Sequence, residues 1–410
     1  MSTTTPAATS GTPSPAEAAP RPPLRTILPP LILGTATFNH QYVSDPLSMP
    51  YRSIVSSALS YGITAFDTSP YYGPSETLLG TALSELPHVP RTAYTLITKA
   101  GRIAPTEFDY SPSWIRYSVL RSLSRLHTSH LDLVYTHDCE FVSPEEVLVA
   151  VKELRRLRDE EGLLRYVGIS GFPVEALASL AEMVLQETGE PLDAVLSYGH
   201  YTIQNQGLAK GERSPLVRLK EAGVDVVLNA SILGMGLLTS RGIPADPEPG
   251  SKESESPLAK WHPSPPGLRV ASKKLAGIAE AEEERLESVA IRWALEEWAR
   301  VGAVAGVEKA TGQRVGGTVC GVSSIGELEE TVKEWREVQS GLATGENSGS
   351  ARREKVLRIV ENEMWPALGE WRDDVWESPG PGFVNTRRLE DKGVIPDDGI
   401  VAGHECKTGQ

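Results

Sequence analysis

The stretch AFDTSPYYGPSE, Ala65 to Glu76, sets an acid, Asp67, at the end of an apolar run and a phenol, Tyr72, five positions later. Two more ionisable groups end similar runs, Lys99 in LITKAG and His137 in LVYTHDCE. Such a set suits moving a proton on or off a carbonyl or hydroxyl while a hydride moves separately. A phenol is a poor acid or base at neutral pH unless its anion is stabilised, and a nearby Lys99 would do that, at about 1.4 kcal/mol per pKa unit. Asp67 would keep the lysine charged and oriented; His137 would orient the substrate oxygen. Taken singly, each has a plainer reading: Asp67 as a turn residue, Tyr72 as a loop aromatic, Lys99 as a snorkelling strand-end cation, His137 as a core histidine. Their recurrence at run ends weakens those readings. His137, Asp138 and Cys139 also invite a metal, but side chains alternate along a strand, so three consecutive residues cannot face one ion and no metal is expected.

These groups must be delivered by a scaffold. Eight short, mostly continuous apolar runs alternate with helical patterns: LILGTATF, ITAFDTS, AYTLITKAG, LDLVYTHD, RYVGISG, DAVLSY, VDVVLNASI and TVCGVSS. Continuity rather than alternation marks strands covered on both faces. Between them, SPEEVLVAVKELRRL opens with Ser143 as N-cap, Pro144 at the first helical position and Glu146 completing a capping box. In LESVAIRWALEEW, Trp293 falls on the apolar face and is expected, with Trp298, in the core. Eight strand and helix units predict an α/β fold, a (β/α)8 TIM-type barrel, with an open doubly wound sheet as the alternative. In the barrel, strand C-termini form one active rim, where Asp67, Lys99 and His137 would meet. No G-x-G-x-x-G follows the first run; only Gly34 stands there. The domain reading is a disordered tail at 1–28, the barrel at 29–340, with a surface insertion from Pro244, and a loosely packed C-terminal extension at 341–410.

The 410 residues carry a formal charge of −14, which argues against a nucleic-acid partner. Cys139, Cys320 and Cys406 are odd in number and widely spaced, as expected in a reducing, cytoplasmic compartment. No run approaches the ~18 apolar residues of a membrane span.

DTSPYYGPSETLLG, with ITK, DLVYTHD and VGISGF, closely resembles the aldo-keto reductase superfamily, from about Leu31 to Gln339. The resemblance implies Tyr72 as general acid/base, Lys99 as its pKa partner, Asp67 as support for Lys99, and His137 as substrate orienter. It also implies an extended nicotinamide dinucleotide across the barrel mouth, which accounts for the missing glycine fingerprint. The contacts implied are Gly34, Thr35 and Asp67 on one side, Ser170 and Gly171 after the fifth run, Ser231, Leu233 and Gly236 after the seventh, and Ser323 and Ser324 after the eighth.

The departures carry information. The family's Ser-Asn is here Ser170-Gly171, and its ring-stacking Tyr is Ala230. Between Thr318 and Val332 there is no cation, while Glu327, Glu329 and Glu330 are acidic. An anion repels a 2′-phosphate, so the resemblance with the local charge favours NAD over NADP. Glu329 and Glu330 have an equal reading as a solvated helix face. The same departures resemble the branch of aldose 1-dehydrogenases that includes L-galactose dehydrogenase and NAD-specific D-arabinose 1-dehydrogenase. That branch implies oxidation of a sugar of D-arabinose, L-galactose or L-fucose type at C1 to the lactone, by a monomer or weak homodimer; a polar rim of His137, Tyr201 and Asn205 is compatible with such a substrate, and Tyr201 has an equal reading as a core residue. Two rivals remain open: an NADPH-dependent aldehyde or ketone reductase of the same family, and a non-catalytic nucleotide-sensing auxiliary subunit.

Overall fold

The computed structural model describes residues 21–246, 256–344 and 351–408. All eight apolar runs become strands: β1 (Leu31–Gly34), β2 (Ala65–Asp67), β3 (Thr95–Ala100), β4 (Leu131–His137), β5 (Leu164–Gly171), β6 (Ala194–Tyr198), β7 (Val226–Ala230) and β8 (Gly317–Gly321). Each pairs in parallel with the next, and β8 returns to β1 with Leu31 opposite Thr318, so the sheet closes into a (β/α)8 barrel. Helices cover the outside, which is why every residue of β3 and β4 is buried and neither strand alternates.

The α-helices of the described residues, in chain order, are α1 (Tyr51–Ser60), α2 (Ser75–Ser84), α3 (Pro112–Arg125), α4 (Pro144–Asp159), α5 (Val174–Thr188), α6 (Pro215–Glu221), α7 (Pro257–Trp261), α8 (Pro266–Ala281), α9 (Leu286–Val301), α10 (Ile325–Thr344), α11 (Ala351–Ile359), α12 (Trp365–Leu368) and α13 (Ile400–Thr408). The Ser143 cap on α4 is reciprocal: Glu146 N–H donates to Ser143 Oγ at 3.3 Å, and Ser143 N–H to the Glu146 carboxylate at 3.1 Å. Trp293 and Trp298 of α9 are buried in the core. Tyr201 joins them, stacked on Trp293 at 5.6 Å between ring centroids, which is its core reading and not its place on a polar rim.

Two regions differ from what their composition indicates. Residues 1–20 of the expected tail lie outside the described residues, but 21–28 pack on the barrel: Leu24 and Leu28 are buried and Arg25 pairs with Asp225 at 2.6 Å. Residues 247–255 of the insertion lie outside the described residues, as do 345–350 of the linker after α10. The end of the chain is tied down rather than loosely held. Arg352 and Arg353 pair with glutamates before and on α9, Trp365 donates to Ile203 O at 3.0 Å, and Asn385 exchanges two hydrogen bonds with the Phe108 backbone at 3.0 and 2.9 Å. Polar fastening of this kind has no apolar period to reveal it.

Candidate active site

The loop after β2 is framed before it is functional. Thr35, just past β1, donates to Asp67 O from both its amide, at 2.8 Å, and its hydroxyl, at 3.0 Å. Ser75 Oγ, at the start of α2, donates back to Thr35 O at 2.9 Å. Glu76 is wholly buried and accepts from Thr98 Oγ1 at 2.8 Å, next to Lys99. Gly73 turns the chain between them with φ +55°, a conformation that disfavours a side chain. The motif's Gly, Ser and Glu thus anchor the phenol-bearing loop to two strands.

Asp67, Tyr72, Lys99 and His137 converge at the C-terminal ends of β2, β3 and β4, on the wall of one cavity of about 730 Å³. Lys99 Nζ donates to Asp67 Oδ1 at 2.6 Å and to Thr68 O at 3.0 Å. The ammonium lies 4.9 Å from the Tyr72 ring centroid, and the His137 ring meets that of Tyr72 edge-on at 5.6 Å. Burial pushes the Asp67 carboxyl up, and Lys99 pulls it back. The Tyr72 phenol is raised well above its usual value by burial, then by Asp67 and Asp138, while Arg102 lowers it. This reverses the expected direction in the free protein, because burial and the two carboxylates outweigh the Arg102 charge.

His137 is held neutral. Burial, with the Lys99 and Arg102 charges, lowers its pKa to about 3 against the pull of Asp138. Ser69 Oγ accepts from Tyr71 N–H at 3.1 Å and lies 3.0 Å from His137 Nδ1. In the tautomer in which Ser69 Oγ–H donates to Nδ1, Nε2–H is the donor left for the cavity. An immobile neutral donor beside a phenol and a lysine can polarise a substrate oxygen while its proton is exchanged.

Of the residues expected around a dinucleotide, Gly34, Ser170, Ser231, Leu233, Gly236 and Ser323 line the same cavity. Thr35, Gly171 and Ser324 do not: Thr35 is buried behind β1, a Cβ on Gly171 would meet Glu140 at 2.4 Å, and Ser324 Oγ caps α10 at Glu327 N–H. Asn205 also turns away, donating to Asp374 O at 3.3 Å. The loop after β7 curls along the rim through positive φ at Ser231, Gly234, Met235 and Gly236. Leu258 and Trp261 of α7 close its outer side, with Trp261 Nε1 donating to Gln41 O at 2.7 Å. A cleft of this volume, with curled backbone and with Arg241 and Arg285 in its lining, fits a nicotinamide dinucleotide.

Charge at the mouth is finer than composition indicated. Glu327 accepts from Ser323 N–H at 2.6 Å and from its hydroxyl at 3.0 Å. Glu330 lines the cavity and pairs with Arg285 at 3.1 Å, whereas Glu329 faces outward to Tyr61. Sequence reasoning missed Arg285, which lies outside the stretch from Thr318 to Val332, and Ser69, which stands in a turn. It also missed Arg102, Tyr198 and the cavity-facing place of Asp138. Asp138 has φ +58°, so the chain turns off the strand and the alternation argument stops at His137. Among the described residues no group of His, Cys, Asp and Glu is placed to hold a metal ion.

Residues 30–340 match the profile of the Aldo/keto reductase family. The chain is 40% identical over 360 residues to D-arabinose 1-dehydrogenase of Saccharomyces cerevisiae, covering 87% of this chain and 96% of that one. It is 32% identical over 316 residues to L-galactose dehydrogenase of Arabidopsis thaliana, covering 76% and 86%. A glycerol dehydrogenase structure from Gluconobacter oxydans superposes with a TM-score of 0.54 at 20% identity, over 87% of this chain and 95% of the other, a likeness of fold.

Proposed function

The chain belongs to the aldo/keto reductase family, and from that premise we propose that it oxidises an aldose of D-arabinose, L-galactose or L-fucose type at C1 to the aldonolactone, with NAD as acceptor. The observation that carries the reading is the convergence of Tyr72, the Lys99 and Asp67 pair, and His137 on one dinucleotide-sized cavity. Bound NAD supplies the hydride acceptor and a positively charged ring. Tyr72, as phenolate, takes the proton of the anomeric hydroxyl as the C1 hydride departs and the C1 carbonyl forms. Lys99 favours that phenolate by charge, Asp67 fixes the ammonium, and His137 Nε2–H holds the reacting oxygen.

NAD over NADP is supported by Glu327, whose carboxylate already occupies the Ser323 donors at the start of α10, where an added phosphate would otherwise find N–H groups. The free cysteines Cys139, Cys320 and Cys406 suit a cytoplasmic enzyme, and we read it as a monomer or weak homodimer with a small sugar as its partner. Initial rates with NAD and NADP on D-arabinose, L-galactose and L-fucose test this, with Tyr72→Phe alongside. Turnover with NAD is expected, abolished in Tyr72→Phe while NADH binding persists. Faster NADPH-dependent aldehyde reduction than any aldose oxidation sinks the proposal, as does tight cofactor binding without turnover.

A further inference from the structure

Beside His137 the cavity wall carries a buried ion pair that the reaction above does not use. Arg102 donates from Nη1 to Asp138 Oδ2 and from Nη2 to the Tyr71 hydroxyl at 3.1 Å. Tyr198 donates its hydroxyl to Asp138 Oδ1 at 3.2 Å. All four line the cavity, and Asp138 is 1% exposed. The guanidinium is held between aromatic rings, 3.9 Å from the Tyr71 centroid and 5.3 and 5.4 Å from those of Phe108 and Phe141. Its Nε–H is buried and has no partner.

A desolvated charge pair with an unsatisfied donor is costly, and an apolar carbonyl compound entering the cavity would strip its remaining water without replacing it. A polyol returns hydroxyls to both charges. Position selects which ones. Asp138 Oδ2 lies 3.6 Å from His137 Nε2, close enough for the two to bond oxygens on adjacent carbons of one ring. If Nε2 holds the oxygen on C1, Asp138 reaches the hydroxyl on C2, and Arg102 the oxygen beyond it. D-arabinose and L-galactose, named in the two relatives, share their configuration at C2, C3 and C4 and differ beyond.

Resting on the proposed aldose oxidation, the geometry points to Arg102 and Asp138 as the specificity residues: Asp138 accepts the 2-hydroxyl of the sugar, Arg102 donates to the 3-hydroxyl oxygen, and the pair selects the C2 to C4 pattern. The aromatic cage sets the guanidinium plane. Positive φ at Asp138 places the carboxylate one step past His137, so that reaction and recognition share one wall.

The test is a ratio, kcat/KM for D-arabinose over that for 2-deoxy-D-ribose, which is the same sugar without its 2-hydroxyl. A charge-assisted bond to that hydroxyl gives a ratio of about 10 to 100 in the unaltered protein. In Asp138→Asn the ratio falls about tenfold with NADH binding unchanged. Arg102→Lys keeps the charge beside Asp138 and loses the planar fork. It therefore serves if the first variant does not fold, and weakens D-arabinose and L-galactose alike by about tenfold. Equal loss on D-arabinose and 2-deoxy-D-ribose in Asp138→Asn overturns the assignment, as does an unaltered protein that treats the two alike. Either result leaves aldose oxidation standing. No oxidation of any aldose by the unaltered protein instead overturns the proposed function, and this assignment with it.

Discussion

A phenol that must give up its proton finds little help in the free cavity. Burial, Asp67 and Asp138 all hold the Tyr72 proton on, and Lys99 directs its hydrogen bonds to Asp67 and Thr68. The sign of the pH dependence follows. With the pKa raised, phenolate is the minority form throughout the neutral range, so oxidation that needs it rises with pH, by about tenfold per unit from pH 7 to 9. Reduction of the lactone or an aldehyde with NADH uses the neutral phenol and stays flat over the same range. A pH profile of kcat/KM in both directions checks this, and a flat oxidation limb denies Tyr72 the role of base. At this scale the sequence was legible where chemistry coincided with a strand end, as at Asp67, Lys99 and His137. Ser69 and Asp138 were not legible, because a serine in a turn and an acid after a strand have ordinary structural uses. Their place depends on a hydrogen bond to His137 and on one left-handed backbone angle.

At the scale of elements, all eight strands could be read, since burial on both faces leaves an apolar run in the chain itself. The connections could not. The segment after β7 has the composition of a surface insertion, yet it returns as α7 against the cavity and as His262 behind it. His262 Nδ1 accepts from Ser264 N–H at 3.1 Å, and Nε2–H donates to Gly234 O at 3.2 Å, pinning the loop that curls along the rim. Both ring nitrogens are thus committed in the neutral form, and burial lowers the pKa to about 4. The unfolded chain binds this proton below about pH 6.5 while the folded one does not. Stability therefore rises with pH through the interval and is lost as pH falls from 6.5 towards 4, by up to about 3 kcal/mol from this group. His137 and His200 act in the same sense. Replacing His262 by Asn flattens the fall in Tm between pH 6.5 and 4.5 by one proton's worth and weakens NADH binding several-fold. Identical Tm slopes for the two proteins, measured by thermal melts across that range, count against the pin.

Across the whole molecule, the C-terminal segment decides how the substrate side of the cavity is backed. Its composition of Gly, Pro and charge resembles a free end, because side chains such as Asn385, Arg387 and Lys392 read as solvated until their partners, Phe108, Asp109 and Glu146, are seen more than 240 positions away. Fastened in this way, the segment brings Trp376 onto Phe172, stacked at 4.7 Å, and Phe383 onto Phe141 at 4.9 Å and Phe108 at 6.0 Å. Phe108 and Phe141 are the rings that flank Arg102. On the proposed reading the cofactor lies instead against residues of β1, β7, β8 and α7, and Phe383 is not part of the cavity lining. The two halves of the cavity are therefore separable by substitution. In Phe383→Ala the ring behind the cage is lost while Arg102 keeps its charge and its pairing with Asp138. A half-buried ring costs less than the roughly 3 to 5 kcal/mol of a fully buried one, so the protein stays folded with a lower Tm. KM for D-arabinose then rises about tenfold, because an Arg102 with freer rotamers must be ordered by the substrate, while NADH affinity, followed by fluorescence titration, is unchanged. A rise in the NADH dissociation constant equal to that in KM would mean that the segment stabilises the barrel as a whole and does not back the sugar-facing wall.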